Sequence, residues 1–262
     1  NFLTVSGQTL SSIFMLNGDL GIGFPSANGW GLNRVNFLSD SQGWYWTSAT
    51  IYKQVKNSIA ERNLENGYYD SGSGASGLAN ASVNDVAMTV LPNAPIDSAT
   101  GLPVPTIALA TNGGVSVIND DESVVDITST KAVNDVGLVH FDKSGRLYFA
   151  AQSSSSITDV YQFNRYVIPA GDISNNVYAD NSDATYYPGD TSGASFQNVR
   201  PNFNAQYNDG VNEDITHISS NDDGGIVGNV NGLSIFAEDY STQGSGMVAY
   251  VATSYNTGWM HG

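Results

Sequence analysis

The chain has 262 residues, and its 25 acidic side chains against 9 lysines and arginines give a formal charge of −16. Phosphate backbones and anionic headgroups repel such a surface, which sets nucleic acid aside as a partner. There is no cysteine, so disulfides, thiolate zinc sites and thiol nucleophiles are excluded, and no apolar run approaches the roughly 18 residues of a membrane span.

With 28 glycines, 11% aromatic and only 13% charged residues, the composition favours short strands and frequent turns over helices. The first element is a hairpin: Ile13-Phe14-Met15-Leu16 and Leu20-Gly21-Ile22-Gly23 flank Asn17-Gly18, a pair suited to the positive φ of a tight β-turn. Gly21 and Gly23 read as close-packing positions, because no helix follows them as a phosphate loop would require. Aromatic residues come next, with Trp30 ahead of Trp44-Tyr45-Trp46. Flat rings of this kind stack on sugars or on partner surfaces, and they also fill cores. Strand alternation places Trp44 and Trp46 on one face and Tyr45 on the other.

Residues 49–64 carry Ile51, Val55 and Ile59 at helical spacing, which predicts a helix ending near Gly67. The Gly/Ser/Asn-rich stretch 66–81 predicts an insertion outside the core, as does 171–210. Between them lies a meander: Thr106–Ala110, a turn at Asn112-Gly113, Val115–Ile118, and a third strand near Ser123–Ile127. The phrase Val-Asn-Asp-Val occurs at 83–86 and again at 133–136, with a looser form at Val211–Ile215. A short Asp before a strand bonds nearby amides, so this phrase reads as turn chemistry.

Hairpins like the first recur around Ser144-Gly145, between Val136–Phe141 and Leu147–Ala151, and around Asp223-Gly224, between Ile215–Ile218 and Ile226–Gly228. The repeats divide the chain into units near 9–48, 82–130, 132–168 and 213–253. Radially repeated meanders make a β-propeller, so the expectation is an all-β, single-domain propeller of about 4–5 antiparallel blades with long loop insertions. The last strand, Met247–Thr253, is expected to close the ring by completing the first blade.

Catalytic signatures are missing. There is no GxSxG elbow, Walker A loop or dinucleotide fingerprint, and His140, His217 and His261 form no HExxH pair. Asn119-Asp120-Asp121-Glu122 and Asn221-Asp222-Asp223 offer hard oxygen ligands for calcium, but both fall where turns need Asn or Asp. The chain therefore reads as non-enzymatic, with no cofactor and no metal.

The segments TIALATNGGVSVINDDESVVDIT (106–128), NDVGLVHFDKSGRLYFAAQ (134–152) and SYNTGWMHG (254–262) resemble the propeller-like repeat region of tail and fibre proteins of tailed bacteriophages. The resemblance implies a structural virion component whose partners are other tail or fibre subunits in an oligomeric assembly, with a role in host attachment. It also implies that the chain is a segment of a longer protein, with 254–262 leading into a lectin-like domain. A secreted propeller lectin or a glycan depolymerase is the alternative. A host surface glycan is then the ligand, and Trp30, Trp44, Tyr45 and Trp46 are the stacking residues.

Overall fold

The computed structural model describes residues 9–25, 31–38, 41–47, 50–55, 69–73, 77–98, 100–130, 135–152, 162–175, 184–186, 215–221, 224–229, 232–237 and 247–252. These residues are all-β and fall into four sheets. The first is a six-stranded meander of β1 (Ser12–Leu16), β2 (Asp19–Gly23), β3 (Leu32–Asn36), β4 (Ser41–Tyr45), β5 (Thr50–Val55) and β6 (Tyr69–Ser73). The second runs through β7 (Val83–Thr89), β8 (Thr106–Thr111), β9 (Gly114–Ile118) and β10 (Val124–Ser129). The third contains β11 (Asp135–Phe141), β12 (Leu147–Gln152) and β13 (Gln162–Tyr166). The chain then steps back, adding β14 (Ile173–Asn175) parallel to β10, before β15 (Ala184–Tyr186) completes the third sheet beside β13. The fourth is β16 (Ile215–Asn221), β17 (Gly224–Asn229), β18 (Gly232–Ala237) and β19 (Met247–Ala252).

The first strands β1, β7, β11 and β16 stand side by side in chain order, as successive propeller blades do. The hydrophobic pattern explains why. Every residue of β8 is buried, with Ile107 and Leu109 on one face and Ala108 and Ala110 on the other. The large pair packs with Leu32, Tyr45 and Leu78 against Val86 and Met88, filling the space between the first and second sheets. The alanines face Phe141, Phe149 and Tyr166 of the third sheet, so small side chains on one sheet accept large ones from the next. Gly21 and Gly23 are the matching contact on the other side of β7. A Cβ on Gly21 would lie 2.7 Å from the Met88 Cε, and one on Gly23 would lie 2.8 Å from the Val83 Cγ1.

The opening turn is of the primed kind, with positive φ at both Asn17 (51°) and Gly18 (84°). Its relatives solve the same problem differently. At 142–146 the Asp142 carboxylate accepts from Ser144 N, Ser144 Oγ and Arg146 N, and only Gly145 has positive φ. At Asn112-Gly113 the positive φ moves to Gly114. Asn119–Ser123 is likewise a turn held by side chains, in which Asp121 Oδ1 accepts from the Ser123 amide and hydroxyl. Those bonds hold the Asp121 carboxyl below its ordinary range. Asp222 and Asp223 lie outside the described residues.

Four expectations are corrected. The predicted helix over 49–64 is in part strand β5, because Thr50, Ile51, Tyr52 and Val55 are β-branched or aromatic and β4 and β6 supply ladder partners on both sides. Its remainder lies outside the described residues. The stretch 66–81 is not wholly peripheral: β6 extends the first sheet, and Leu78, 4% exposed, is a core residue because Leu78 N donates to Trp46 O and pins the segment across the sheet. Within 171–210, β14 and β15 are ladder strands and not free loop; Thr128 Oγ1 donating to Ile173 O helps hold the first of them. The last strand does not complete the first sheet, since β19 pairs with β18, and β1 occupies the inner position of the first sheet.

Three first strands carry a β-bulge at their N-terminal end, between Val83 and Asp85, Val136 and Leu138, and Ile215 and His217. In β7 the extra residue, Asn84, breaks the alternation, so that Val83 and Val86 both reach the core shared with the first sheet. The same irregularity frees Asp85 to span sheets. Its Oδ1 accepts from Ser12 Oγ of β1 and from Val86 N, while its Oδ2 accepts from Val139 N of β11. Replacing Asp85 with Ala should cost about 3 kcal/mol, since an ionic acceptor is lost and donors are stranded, and Asp85→Asn should recover part of this. Urea unfolding midpoints measure both.

Candidate functional site

The polar residues that converge in the fold lie along the row of first strands. Asn84 Nδ2 points at Asn112 Oδ1, Asp135 Oδ1 and Val136 O, joining the second sheet to the third. Burial pushes the Asp135 carboxyl up, and the bond from Asn84 works against that shift. Further along β11, His140 Nε2 lies 2.9 Å from Ser220 Oγ on β16, joining the third sheet to the fourth. The His140 ring is half-buried, and burial pulls its pKa down; Asp142 and Asp85 work against the fall, and His217 adds to it.

An imidazole against a serine hydroxyl has the parts of a base and a nucleophile. The rest of a catalytic set is not assembled around it. Among the described residues no carboxylate bonds the second ring nitrogen of His140, and the Asp85 oxygens are taken by backbone and Ser12. No group of three or more His, Asp or Glu side chains among the described residues is placed to hold a metal.

Sequence reasoning missed this seam. The Val-Asn-Asp-Val phrase was expected to be turn chemistry, yet Asn84 and Asp85 lie inside β7 and bond across sheets, and Asp135 opens β11. The recurrence of the phrase was the available signal. Nothing in the sequence pairs His140 with Ser220, 80 residues away.

The aromatic residues separate as alternation predicts. Trp44 and Trp46 are half-buried and Tyr45 is 2% exposed. Trp44 lies against Phe24, ring centroids 6.0 Å apart. Tyr45 belongs to the core between the first two sheets, so its ring cannot stack on a ligand; burial there is fixed by its pairing with Leu32. Trp30 lies outside the described residues.

Beside Tyr45 is a buried ion pair. Arg34 Nε is 2.8 Å from Asp19 Oδ1 and its Nη2 is 3.0 Å from Oδ2, a bidentate fork with Asp19 2% and Arg34 13% exposed. Burial opposes the charge on Arg34, but Asp19 and Tyr45 outweigh it and raise the guanidinium pKa further. Gly21 stands opposite Arg34 in the ladder, and Asp19, two residues earlier in β2, lies diagonal to Arg34 on the same face.

No protein-family model matches the chain, and no curated protein matches it. Among solved structures it is similar to a catalytically inactive virginiamycin B lyase from Staphylococcus aureus with quinupristin, at 12% identity and a TM-score of 0.31, over 97% of this chain and 87% of that one. A likeness this weak brings no activity to the chain, whose fold rests on its own strand pairing.

Asp19→Ala would leave the Arg34 guanidinium buried and unpaired. A loss of about 3–5 kcal/mol is expected in chemical denaturation. The double variant Asp19→Leu with Arg34→Met, which removes both charges, should recover much of it.

Proposed function

We propose that the protein is a non-enzymatic structural component of a bacteriophage virion, part of its tail or fibre, which serves as a rigid body for docking other subunits and contributes to host attachment. One observation carries the structural half of this reading. The polar side chains of the first strands, where a propeller would present groups to a ligand, are used to tie sheet to sheet: Ser12 to Asp85, Asn84 to Asp135, His140 to Ser220. A body braced in this way suits load-bearing and docking. Met15, Phe37 and Leu38 are each about half-exposed or more, and Leu38 lies over Gly18 of the first turn, which supplies apolar surface for a neighbouring subunit at that end. The virion assignment itself rests on the phrase resemblance in 106–128, 134–152 and 254–262.

Cryo-electron microscopy of the purified particle tests the reading. Density for a body of four blade-like sheets is expected, and a particle without it overturns the proposal.

A secreted propeller lectin or depolymerase is the second reading, favoured by Trp44 and Trp46, which are only partly buried. It predicts glycan-array binding that Trp44→Ala or Trp46→Ala weakens at least about tenfold, since losing one ring contact is worth about 1.4 kcal/mol or more. Absence of binding to any glycan, together with no cleavage of host capsule or lipopolysaccharide, would remove it.

A further inference from the structure

We propose that the end of the body bearing the first turn is a docking surface for a basic protein, one that sets an apolar patch ringed by lysine and arginine against it. The inference rests on the reading of this end as a place where another subunit docks, and not on the virion assignment.

The segment 90–105, between β7 and β8, builds the surface. It is a hairpin arm: Ile96 bridges Pro103, Asp97 N donates to Leu102 O, and Val104 N donates to Pro95 O. Asp97 closes the tip, accepting from Thr100 N at Oδ1 and from Gly101 N at its carbonyl. Pro92, Pro95, Pro103 and Pro105 fix φ along the arm, and an arm ordered in advance loses little freedom when it binds. At its base Asn17 Nδ2 donates to Pro103 O, 2.8 Å away, which anchors it beside the first turn. There Phe37 N donates to Gly18 O, and Leu38 lies over Gly18. Met15, Phe37, Leu38, Ile96 and Leu102 are thereby gathered at one end, all exposed, with Met15, Phe37 and Ile96 more than half so. None of the five belongs to a core cluster. Large apolar side chains on a rigid support are what a protein interface buries at its centre.

Charge decides the occupant. The turn after β9 lies at this same end, because Ile118 pairs with Ile107 next to the root of the arm, and it carries Asp120, Asp121 and Glu122. With Asp97 these outnumber Lys143 and Arg146 of the neighbouring turn, where Leu91 of the arm lies over Gly145. A second copy would bring like carboxylates face to face, and the whole chain has 25 acidic residues against 9 lysines and arginines. A partner with cations around an apolar centre is matched at both the rim and the middle.

The probe is a short synthetic amphipathic helix of leucine and lysine, titrated calorimetrically into the whole chain, with a helix of leucine and glutamate as its control. The lysine helix should bind, less tightly as salt is raised, and the glutamate helix should not. Leu38→Ser combined with Ile96→Ser leaves every charge in place and should weaken binding about tenfold. Failure of the lysine helix to bind, equal binding of both helices, or binding that the double variant leaves unchanged overturns the proposal, the last because it reports attraction to an acidic body and nothing more. A dimer of the unaltered chain in sedimentation that the double variant dissociates would give the end to a second copy, and retention on neutral phosphatidylcholine vesicles that the variant abolishes would give it to a bilayer; either result also overturns it. If the double variant does not fold, Ile96→Ser alone, on the arm and outside both cores, carries the test with a loss of about threefold. A particle lacking this body would sink the virion assignment and leave these titrations standing, whereas their failure sinks the surface alone.

Discussion

The carboxylate of Asp85 bonds three sheets at once, taking Ser12 from the first, its own strand's Val86 amide in the second, and the Val139 amide in the third. It can do so only because β7 is bulged at Asn84, which rotates the strand by one residue at the point where it passes between β1 and β11. The bulge has two effects that depend on each other. It brings Val83 and Val86 to the same core, and it turns a residue that would otherwise sit in an ordinary ladder position into a brace. A carboxylate suits this place because it accepts several donors without needing one of its own, and a charged acceptor makes stronger bonds than a neutral one.

With the first strands braced, the sheets are close enough for side-chain size to set the packing. The second sheet is the centre of the arrangement, since both its faces are buried and they are built differently. Toward the first sheet it presents Val83, Val86 and Met88, which lie against glycines 21 and 23, and Ile107, Leu109 and Ile118, which share a core with Tyr45. Toward the third it presents Ala87, Ala108 and Ala110 beneath Phe141, Phe149 and Tyr166. Bulk alternates with its absence from one interface to the next, so no interface has to accommodate two large layers. The short strand β14 adds a clasp, leaving the third sheet to pair with β10 of the second, with Asp172 Oδ1 accepting from Asp126 N beside it. Burial raises the Asp126 carboxyl pKa; the Ser116 hydroxyl, 2.6 Å away, counters the rise, and the charge of Asp172 adds to it.

Much of this was legible in the sequence. The composition pointed to strands, the Asn17-Gly18 turn lay where a primed turn requires it, and the repeat units fell close to the four sheets, because alternation and turn chemistry are local properties. The parts that were not legible depend on distant partners. Segment 49–64 reads as a helix when its own spacing is considered, and β5 exists because β4 and β6 complete its ladders. Leu78 sits in a stretch rich in glycine and serine, and the bonds from its amide to Trp46 O and from Ala79 N to Ser116 Oγ bring it inside. The phrase at 83–86 was visible as a repeat, but the bulge that gives Asn84 and Asp85 their roles is set by register with β8. His140 and Ser220 had no signal at all, since nothing within either local segment depends on the other.

The bracing also implies an order of strength along the chain. The second sheet is held on both faces by apolar packing and along its first strand by Asp85 and Asn84. Among the described residues, the fourth is joined to the third at its first strand by the contact of His140 Nε2 with Ser220 Oγ. Local stability follows buried contact and bonded backbone, so the second sheet, packed on both faces, is a part that yields late.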